Sequence, residues 1–187
     1  MKPRLIFLTL GTLAVVSAFA DFSVHVKNLS LEAQSASKLE ALPNGKPMPE
    51  FSLVDTTGKD ITLSKLTAEK KLVLVNFWGT WCGPCRLEMP QFEKLYKAKS
   101  QDHFLILAID EGDERPVLDK YLKEKPVSFP ILLDPDGALA KKLGIRAFPT
   151  SVLVGSDGKI LEVIEGLDPD WLQYEIDANL NKLEAKP

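Results

Sequence analysis

Two cysteines stand three positions apart in the stretch "NFWGTWCGPCRLEMP", which runs from Asn76 to Pro90. Cys82 and Cys85 are the only cysteines among the 187 residues. A close pair of thiols can form a structural disulfide, supply ligands to a metal, or carry out thiol-disulfide exchange. The three roles require different surroundings, so the neighbouring residues help to distinguish them.

The structural roles of the pair have little support. A bridge between Cys82 and Cys85 closes a very small ring, for which the chain-entropy model gives only about 2 kcal/mol of stabilisation. As a zinc site, the pair would supply two of the usual four ligands. The two histidines are His25, in a predicted spacer, and His103, at the start of a predicted strand. No metal site is therefore expected.

The position of Cys82 favours a reactive thiol. The residue follows an apolar run and opens a predicted helix over residues 82–98. Unpaired N–H groups and partial positive charge at a helix N-terminus stabilise a thiolate and lower the pKa of the thiol. Cys85, one turn further on, can attack a mixed disulfide formed by Cys82. The apolar positions predicted for this helix are Leu87, Phe92, Leu95 and Tyr96.

Composition limits the classes of partner. Hydrophobic residues make up 45% of the chain and charged residues 26%, as in an ordinary globular protein. The formal net charge is -3 and there is no strong basic run. Binding to nucleic acid requires clustered Lys and Arg to neutralise phosphates. Nucleic acid is therefore not expected as a partner.

The N-terminus is typical of an export signal. Residues 1–20 combine Lys2 and Arg4 with a long uncharged stretch that ends in Ala18-Phe19-Ala20. Two outcomes stay open: cleavage after Ala20, or retention of the segment as a membrane anchor. No cysteine lies near Ala20, which argues against a lipoprotein anchor. Export would place the domain where disulfides can persist.

The rest of the chain divides into a spacer, residues 21–46, and one domain, residues 47–185. Within the domain, apolar runs alternate with helical patterns, and two hairpins flank this central part. The pattern predicts an α/β protein with a mixed sheet and helices on both faces. The expected strands are "KLVLVNFW", "HFLILAID" and "FPILLD"; the expected hairpins are "FSLVDTTGKDITL" and "TSVLVGSDGKILEVIEG"; the further helices span 113–125, 138–143 and 169–183.

The motif "FWGTWCGPC" resembles the active site of the thioredoxin superfamily. The longer stretch "NFWGTWCGPCRLEMPQFEKLY" is similar to the exported TlpA/ResA branch, the cytochrome c maturation type of thiol-disulfide oxidoreductase. The resemblance covers about residues 48–183. It implies a thioredoxin-like fold with an N-terminal hairpin and a central insertion, here residues 112–135. It also implies that Cys82 attacks, that Cys85 resolves, and that the two form the redox-active disulfide.

Glu88 is the acid nearest to the cysteine pair on the predicted helix. It lies three residues beyond Cys85 and so faces roughly the same way, where a carboxyl group could hold or pass a proton. The resemblance implies a proton-relay role, whereas a glutamate exposed beside Arg86 is the simpler alternative. Asn76 stands where cytoplasmic thioredoxins have a buried aspartate, and it cannot titrate.

The resemblance also implies a substrate-binding surface of Trp81, Phe148 and Pro149. Pro149 is expected to follow a cis peptide bond that leaves the Phe148 backbone free to pair with an extended substrate. Phe148 departs from the family pattern, in which smaller or β-branched residues are usual. Its ring could narrow the cleft or add an apolar contact. Trp78 is expected in the core. The charged "EGDERP" in the insertion is either a partner-selecting segment or a solvated helix start.

The predicted function is that of an exported oxidoreductase that reduces disulfides of client proteins, with apo-cytochrome c as one candidate. Two alternatives stay open: a disulfide-forming oxidase, and a copper-binding module that uses the two thiolates. No G-x-G-x-x-G motif is present, so no nicotinamide cofactor is expected and a membrane thiol donor would supply electrons. A monomer is expected.

Overall fold

The central strand of the domain, β3, is the apolar run Leu72–Trp78. The computed structural model describes residues 42–69, 72–99 and 102–184. In it, every residue of β3 is buried. A strand covered on both faces has no side that faces water, which explains why its residues are apolar except for Asn76.

The main sheet has five strands in the order β5-β4-β3-β6-β7. Strands β3, β4 and β5 run parallel, whereas β6 and β7 form an antiparallel hairpin beside β3. The first hairpin, β1 and β2, stands apart as a two-stranded sheet. The predicted mixed sheet and both hairpins are therefore confirmed. The remaining strands are β1 Ser52–Val54, β2 Asp60–Thr62, β4 Phe104–Glu111, β5 Ile131–Asp134, β6 Thr150–Gly155 and β7 Ile160–Glu165.

Within the described residues, five helices accompany the sheet, and four of them were expected. They are α1 Leu63–Glu69, α2 Gly83–Ala98, α3 Arg115–Glu124, α4 Ala138–Leu143 and α5 Pro169–Glu184. The sequence did not predict α1. Glu50 accepts a hydrogen bond from the backbone N–H of Ser64, in the first turn of α1, over 3.2 Å. Because Glu50 lies outside the helix, this contact is not visible in the sequence as a local pattern of capping residues.

The buried face of α2 differs from the expected one. Phe92 and Tyr96 are buried as predicted, and Leu95 packs against the core from a partly buried position. Leu87 was wrongly expected to be apolar core, since 65% of it is exposed. The position that faces inward is that of its neighbour, Glu88, which is only 2% exposed. Because the acidic residue Glu88 lies on the buried face of α2, the apolar pattern alone predicted the wrong orientation of the helix at this point.

Chain segments from outside the main sheet cover parts of its two outer strands. On β7, the N–H of Gly45 donates to the carbonyl of Ile160 over 2.7 Å, and Ile160 donates back to Lys46. On β5, the N–H of Thr56 donates to the carbonyl of Ile131 over 2.9 Å. The β5 strand itself comes from the central insertion. The packed part of the domain also extends slightly upstream of the expected start, because Leu42 is buried.

The expected signal segment and nearly all of the spacer lie outside the described residues. Within residues 42–69, 72–99 and 102–184, no helix has the length and hydrophobicity needed to cross a membrane. Whether residues 1–20 are cleaved or retained therefore stays a prediction.

Candidate active site

The cysteine pair lies where β3 passes into α2. Cys82 is the N-cap of α2, and Cys82 and Cys85 are joined by a disulfide whose Cα atoms are 5.3 Å apart. The backbone N–H of Cys85 points at the sulfur of Cys82, with 3.2 Å between nitrogen and Sγ. Pro84 fits into the first turn because the N–H that it lacks has no partner within a helix there.

The two cysteines differ in their surroundings. Cys82 keeps 5% of its surface exposed, whereas Cys85 has none. In the reduced protein, a thiolate on Cys82 would face an amide hydrogen and the positive end of the α2 dipole, both of which stabilise negative charge. The less deeply buried cysteine is thus also the one with electrostatic support, as a nucleophile requires.

Glu88 is a buried acid on the same helix. Burial raises the pKa of Glu88 to about 8, although a hydrogen bond from the amide of Asn76 acts in the opposite direction. The side chain is therefore protonated at neutral pH in this oxidised state. Its pKa also lies close to that of an ordinary thiol, near 8.5, so a proton could pass between the two kinds of group at little cost.

Asn76 holds Glu88 from the central strand. Its Nδ2 donates to Oε2 of Glu88 over 3.1 Å and to Oγ of Ser151 over 3.0 Å. Asn76 and Ser151 face each other across the antiparallel pair of β3 and β6. Sequence reasoning noted only that Asn76 cannot titrate and missed Ser151. The one signal for Ser151 was a hydroxyl residue that follows Thr150 at the start of an apolar run.

Trp81 and Phe148 meet beside the cysteine pair. Their rings form an edge-to-face contact with centroids 5.2 Å apart. Trp81 is 57% exposed, and Phe148 is partly buried. The Phe148–Pro149 peptide bond is cis, as the resemblance implied, and Pro149 is buried. Of the three residues expected to share one substrate-binding surface, Trp81 and Phe148 are in direct contact.

Gly79 allows the Trp81 ring to fold back over the chain. A Cβ atom at position 79 would lie 2.4 Å from Nε1 of Trp81, which is closer than such atoms ever approach. The indole N–H donates to the backbone carbonyl of Glu111 over 2.9 Å. Glycine is therefore required here by a close approach, and the ring has a fixed orientation despite its exposure.

Buried acids at the end of β4 are a feature that sequence reasoning missed. Asp110 and Glu111 are 1% and 4% exposed. Burial, helped by the neighbouring Asp113 carboxylate, raises the pKa of Asp110 to about 8. Burial, helped by Asp134, raises the pKa of Glu111 to about 9. Acids at the end of an apolar strand normally indicate the start of a loop, so their burial was not foreseen.

The copper-binding alternative would require a further soft ligand beside the two thiolates. The thioether of Met89, on the same helix as the cysteine pair, belongs to a residue that is 1% exposed and packed in the hydrophobic core. Among the residues that the structure describes, no cluster of three or more His, Cys, Asp or Glu side chains has the geometry to hold a metal ion.

The sequence matches a known family over most of this domain. The family model named Redoxin matches residues 43–179. The chain belongs to the redoxin family. This redoxin is 33% identical over 165 residues to the thiol-disulfide oxidoreductase ResA of Bacillus subtilis, a match that spans 88% of the chain and 87% of that relative.

Solved structures place the redoxin in the same group. A crystal structure from Chlorobium tepidum, described as the thiol:disulfide interchange protein DsbE, aligns with a TM-score of 0.66 at 31% identity. The alignment covers 74% of this chain and 99% of that one. StoA from Bacillus subtilis aligns with a TM-score of 0.59 at 27% identity, covering 68% and 96%. The redoxin is thus a thioredoxin-like, ResA-type thiol-disulfide oxidoreductase.

Proposed function

We propose that this redoxin is an exported reductant of disulfides in client proteins, with Cys82 as the attacking thiol and Cys85 as the resolving thiol. The observation that carries the assignment of the two cysteine roles is the amide of Cys85 directed at the Cys82 sulfur over 3.2 Å. It would favour the thiolate on the one cysteine that solvent can reach. Residues 1–20 supply the proposed export signal.

The reaction proceeds in two exchanges. The Cys82 thiolate attacks one sulfur of the client disulfide, which forms a mixed disulfide and releases the other client sulfur as a thiolate. In molecules in which Glu88 is ionised, a fraction that grows as the pH approaches its pKa of about 8, Cys85 then gives its proton to the Glu88 carboxylate and attacks the Cys82 sulfur. The second client thiolate leaves and the Cys82–Cys85 disulfide forms. Two electrons pass from the protein dithiol to the client.

The oxidised structure is consistent with the end of that sequence. Glu88 is protonated at neutral pH when the disulfide is present. Asn76 keeps the carboxyl group in place through a hydrogen bond from the central strand. Glu88 would release its proton when the disulfide is reduced again, and a membrane thiol donor is the proposed source of those electrons.

The proposed contact with clients is the surface of Trp81, Phe148 and Pro149. The exposed Trp81 ring offers an apolar face beside Cys82, and Phe148 supports it from the side. The cis bond before Pro149 would leave the Phe148 backbone free to pair with an extended client segment. A C-x-x-C-H segment of an apo-cytochrome c is the proposed kind of client.

Trapping tests the proposal. A Cys85→Ser variant, produced in the exported compartment, should accumulate mixed disulfides on Cys82 because the resolving thiol is missing. A Cys82→Ser variant is the matched control and should trap nothing. An absence of Cys82-dependent adducts would overturn the client-reductase function. A redox titration then gives the direction of electron flow, since a midpoint near about -120 mV would identify an oxidase.

A further inference from the structure

Thr80, two residues before Cys82, is held at two points by one carboxylate. The backbone N–H of Thr80 donates to Oδ2 of Asp113 over 2.6 Å, and its hydroxyl donates to Oδ1 over 2.6 Å. Thr80 is only 9% exposed. Hydrogen bonds to a charged acceptor that is shielded from water are stronger than those between neutral groups.

Asp113 belongs to a four-residue segment, Asp110–Asp113, that contacts both residues immediately before the nucleophile. The same segment accepts the indole N–H of Trp81 at the carbonyl of Glu111. Three donors from Thr80 and Trp81 therefore end on one short piece of chain. This piece includes the first three residues of "EGDERP". From the sequence, that segment could equally be one that selects partners or the solvated start of a helix.

Asp110 is a buried acid at the start of the same segment. It is 1% exposed, and the β3–β4 register places it beside Trp78. Burial, helped by the neighbouring Asp113 carboxylate, raises its pKa to about 8. Its Oδ1 has no hydrogen-bond partner in the part of the chain that the structure describes. Glu111 is the nearest further acid, and it is itself influenced by Asp134 and Asp136.

The position of Thr80 sets that of the reactive sulfur. The N–H of Cys82 donates to the carbonyl of Gly79 over 3.1 Å, so residues 79–82 form one tight turn. A rotation at Thr80 would carry Cys82 with it and change the contact between its sulfur and the Cys85 amide. Displacements of about 1 Å in a reacting group can slow a reaction by up to about 100-fold.

We propose that Asp113 is a positioning residue for disulfide exchange, acting through Thr80 to hold Cys82 against the N-terminus of α2. The inference rests on the proposed function, because it assigns a further residue to the same reaction. Asp113 touches neither sulfur nor client; its effect passes through the backbone of residues 80–82.

The test compares Asp113→Ala and Thr80→Val with a neighbouring control. Glu114→Gln removes a negative charge one position away, from an exposed side chain that makes no capping hydrogen bond. Two quantities are measured on the reduced proteins: the rate of exchange with a model peptide disulfide at pH 7, and the pKa of Cys82 from thiolate absorbance near 240 nm.

We expect Asp113→Ala to slow exchange about tenfold. Thr80→Val, which keeps all charges, should slow it about threefold and raise the pKa of Cys82. Glu114→Gln should stay within about twofold of the wild type, as an exposed charge does. The double variant Thr80→Val/Asp113→Ala should be no slower than Asp113→Ala alone, because the shared bond is already lost.

Three outcomes would overturn the inference. The first is an Asp113→Ala rate equal to that of the Glu114→Gln control. The second is a double variant whose loss equals the product of the single losses. The third is a Thr80→Val variant whose exchange rate and Cys82 pKa both equal those of the wild type. This variant tests the inference even if Asp113→Ala does not fold.

Failure of the proposed function is distinguishable from these outcomes. If the wild type does not exchange with the peptide disulfide, the proposed function is wrong, whereas the pKa of Cys82 in the variants still tests whether Asp113 positions that residue.

Discussion

Asn76 donates a hydrogen bond to Glu88 over 3.1 Å, across twelve positions of sequence, from the central strand to the active-site helix. The bond joins a residue that cannot titrate to one whose pKa is raised to about 8. It keeps a buried carboxyl group in one place while allowing it to remain protonated. The pair therefore provides an acid whose pKa lies within the range of pKa values found for thiols.

Replacing Glu88 by glutamine should slow the resolution step. Glu88→Gln removes the proton acceptor but keeps the shape of the side chain, so we expect a five- to tenfold slower release of mixed disulfides, which is below the about 10²–10⁴-fold typical of acid–base groups. The profile of the resolution rate should also lose its inflection near pH 8. Stopped-flow rates from pH 6 to 9 provide the measurement. Glu165→Gln, on an exposed position of β7, is the control. Identical profiles for both variants would make Glu88 a purely structural residue.

Replacing Asn76 by alanine should raise the pKa of Glu88 further. The Asn76 amide is the group that holds this pKa down against burial, so its loss leaves desolvation unopposed. The inflection of the resolution rate should move to higher pH. Stability should fall by about 1–3 kcal/mol, because Glu88 and Ser151 each lose a buried partner. Urea denaturation and the same pH profile check both effects. An inflection that moves to lower pH would contradict this account.

Stability should decline as the solution becomes alkaline. Folding raises the pKa values of Glu88 and Asp110 to about 8, and that of Glu111 to about 9, from ordinary values of 4.5, 3.8 and 4.5. The folded chain thus holds these protons more tightly than the unfolded chain. The resulting stability is fully present below about pH 4 and is lost as the pH rises through 8 to 9. Each unit of pKa difference corresponds to about 1.4 kcal/mol.

Urea denaturation of the oxidised protein at pH 5, 7 and 9 measures this decline. The midpoint should fall steadily across the series. Glu111→Gln carries no ionisable group at that site and should flatten the fall, while Glu165→Gln should run parallel to the wild type. A midpoint that increases with pH would show that the buried carboxyl groups ionise freely in the folded protein.

Replacing Gly79 by alanine should displace the Trp81 ring. The added Cβ would lie 2.4 Å from the indole nitrogen, so the ring must move and lose its hydrogen bond to Glu111. We expect a changed tryptophan fluorescence spectrum and a loss of about 1 kcal/mol of stability. Gly83→Ala is the matched control, because a Cβ there meets nothing within 4 Å. Equal spectra for the two variants would mean that the ring is not held in this orientation.

Much of this site could be predicted from sequence because its signals are local. The run from Leu72 to Trp78 has one apolar pattern, and Cys82 and Cys85 lie within one helical turn. The contacts that sequence did not predict join distant positions. Thr80 and Asp113 are 33 residues apart, and Asn76 meets Ser151 through strand register. No local rule connects such residues, because the partner is fixed only when the sheet assembles.

Leu87 illustrates a different kind of miss. Its apolar side chain satisfied the helical pattern, yet it is exposed while Glu88 is buried. Pattern reasoning assigns the inside of a helix to apolar residues and the outside to charged ones. Glu88 is an exception to this pattern, because it is an acid buried near the cysteine pair. The sequence pattern therefore predicted the wrong orientation of the helix at Leu87 and Glu88.

Residues 45–46 hydrogen-bond to one outer strand of the sheet and Thr56 to the other. Exposed strand edges are templates on which a second chain can add a strand and begin to aggregate. A reductase of unfolded clients would meet extended chains continually, since a client disulfide is reachable before the client folds. By shielding parts of its own sheet edges, this domain would confine those chains to brief contact near Trp81 and discourage permanent incorporation.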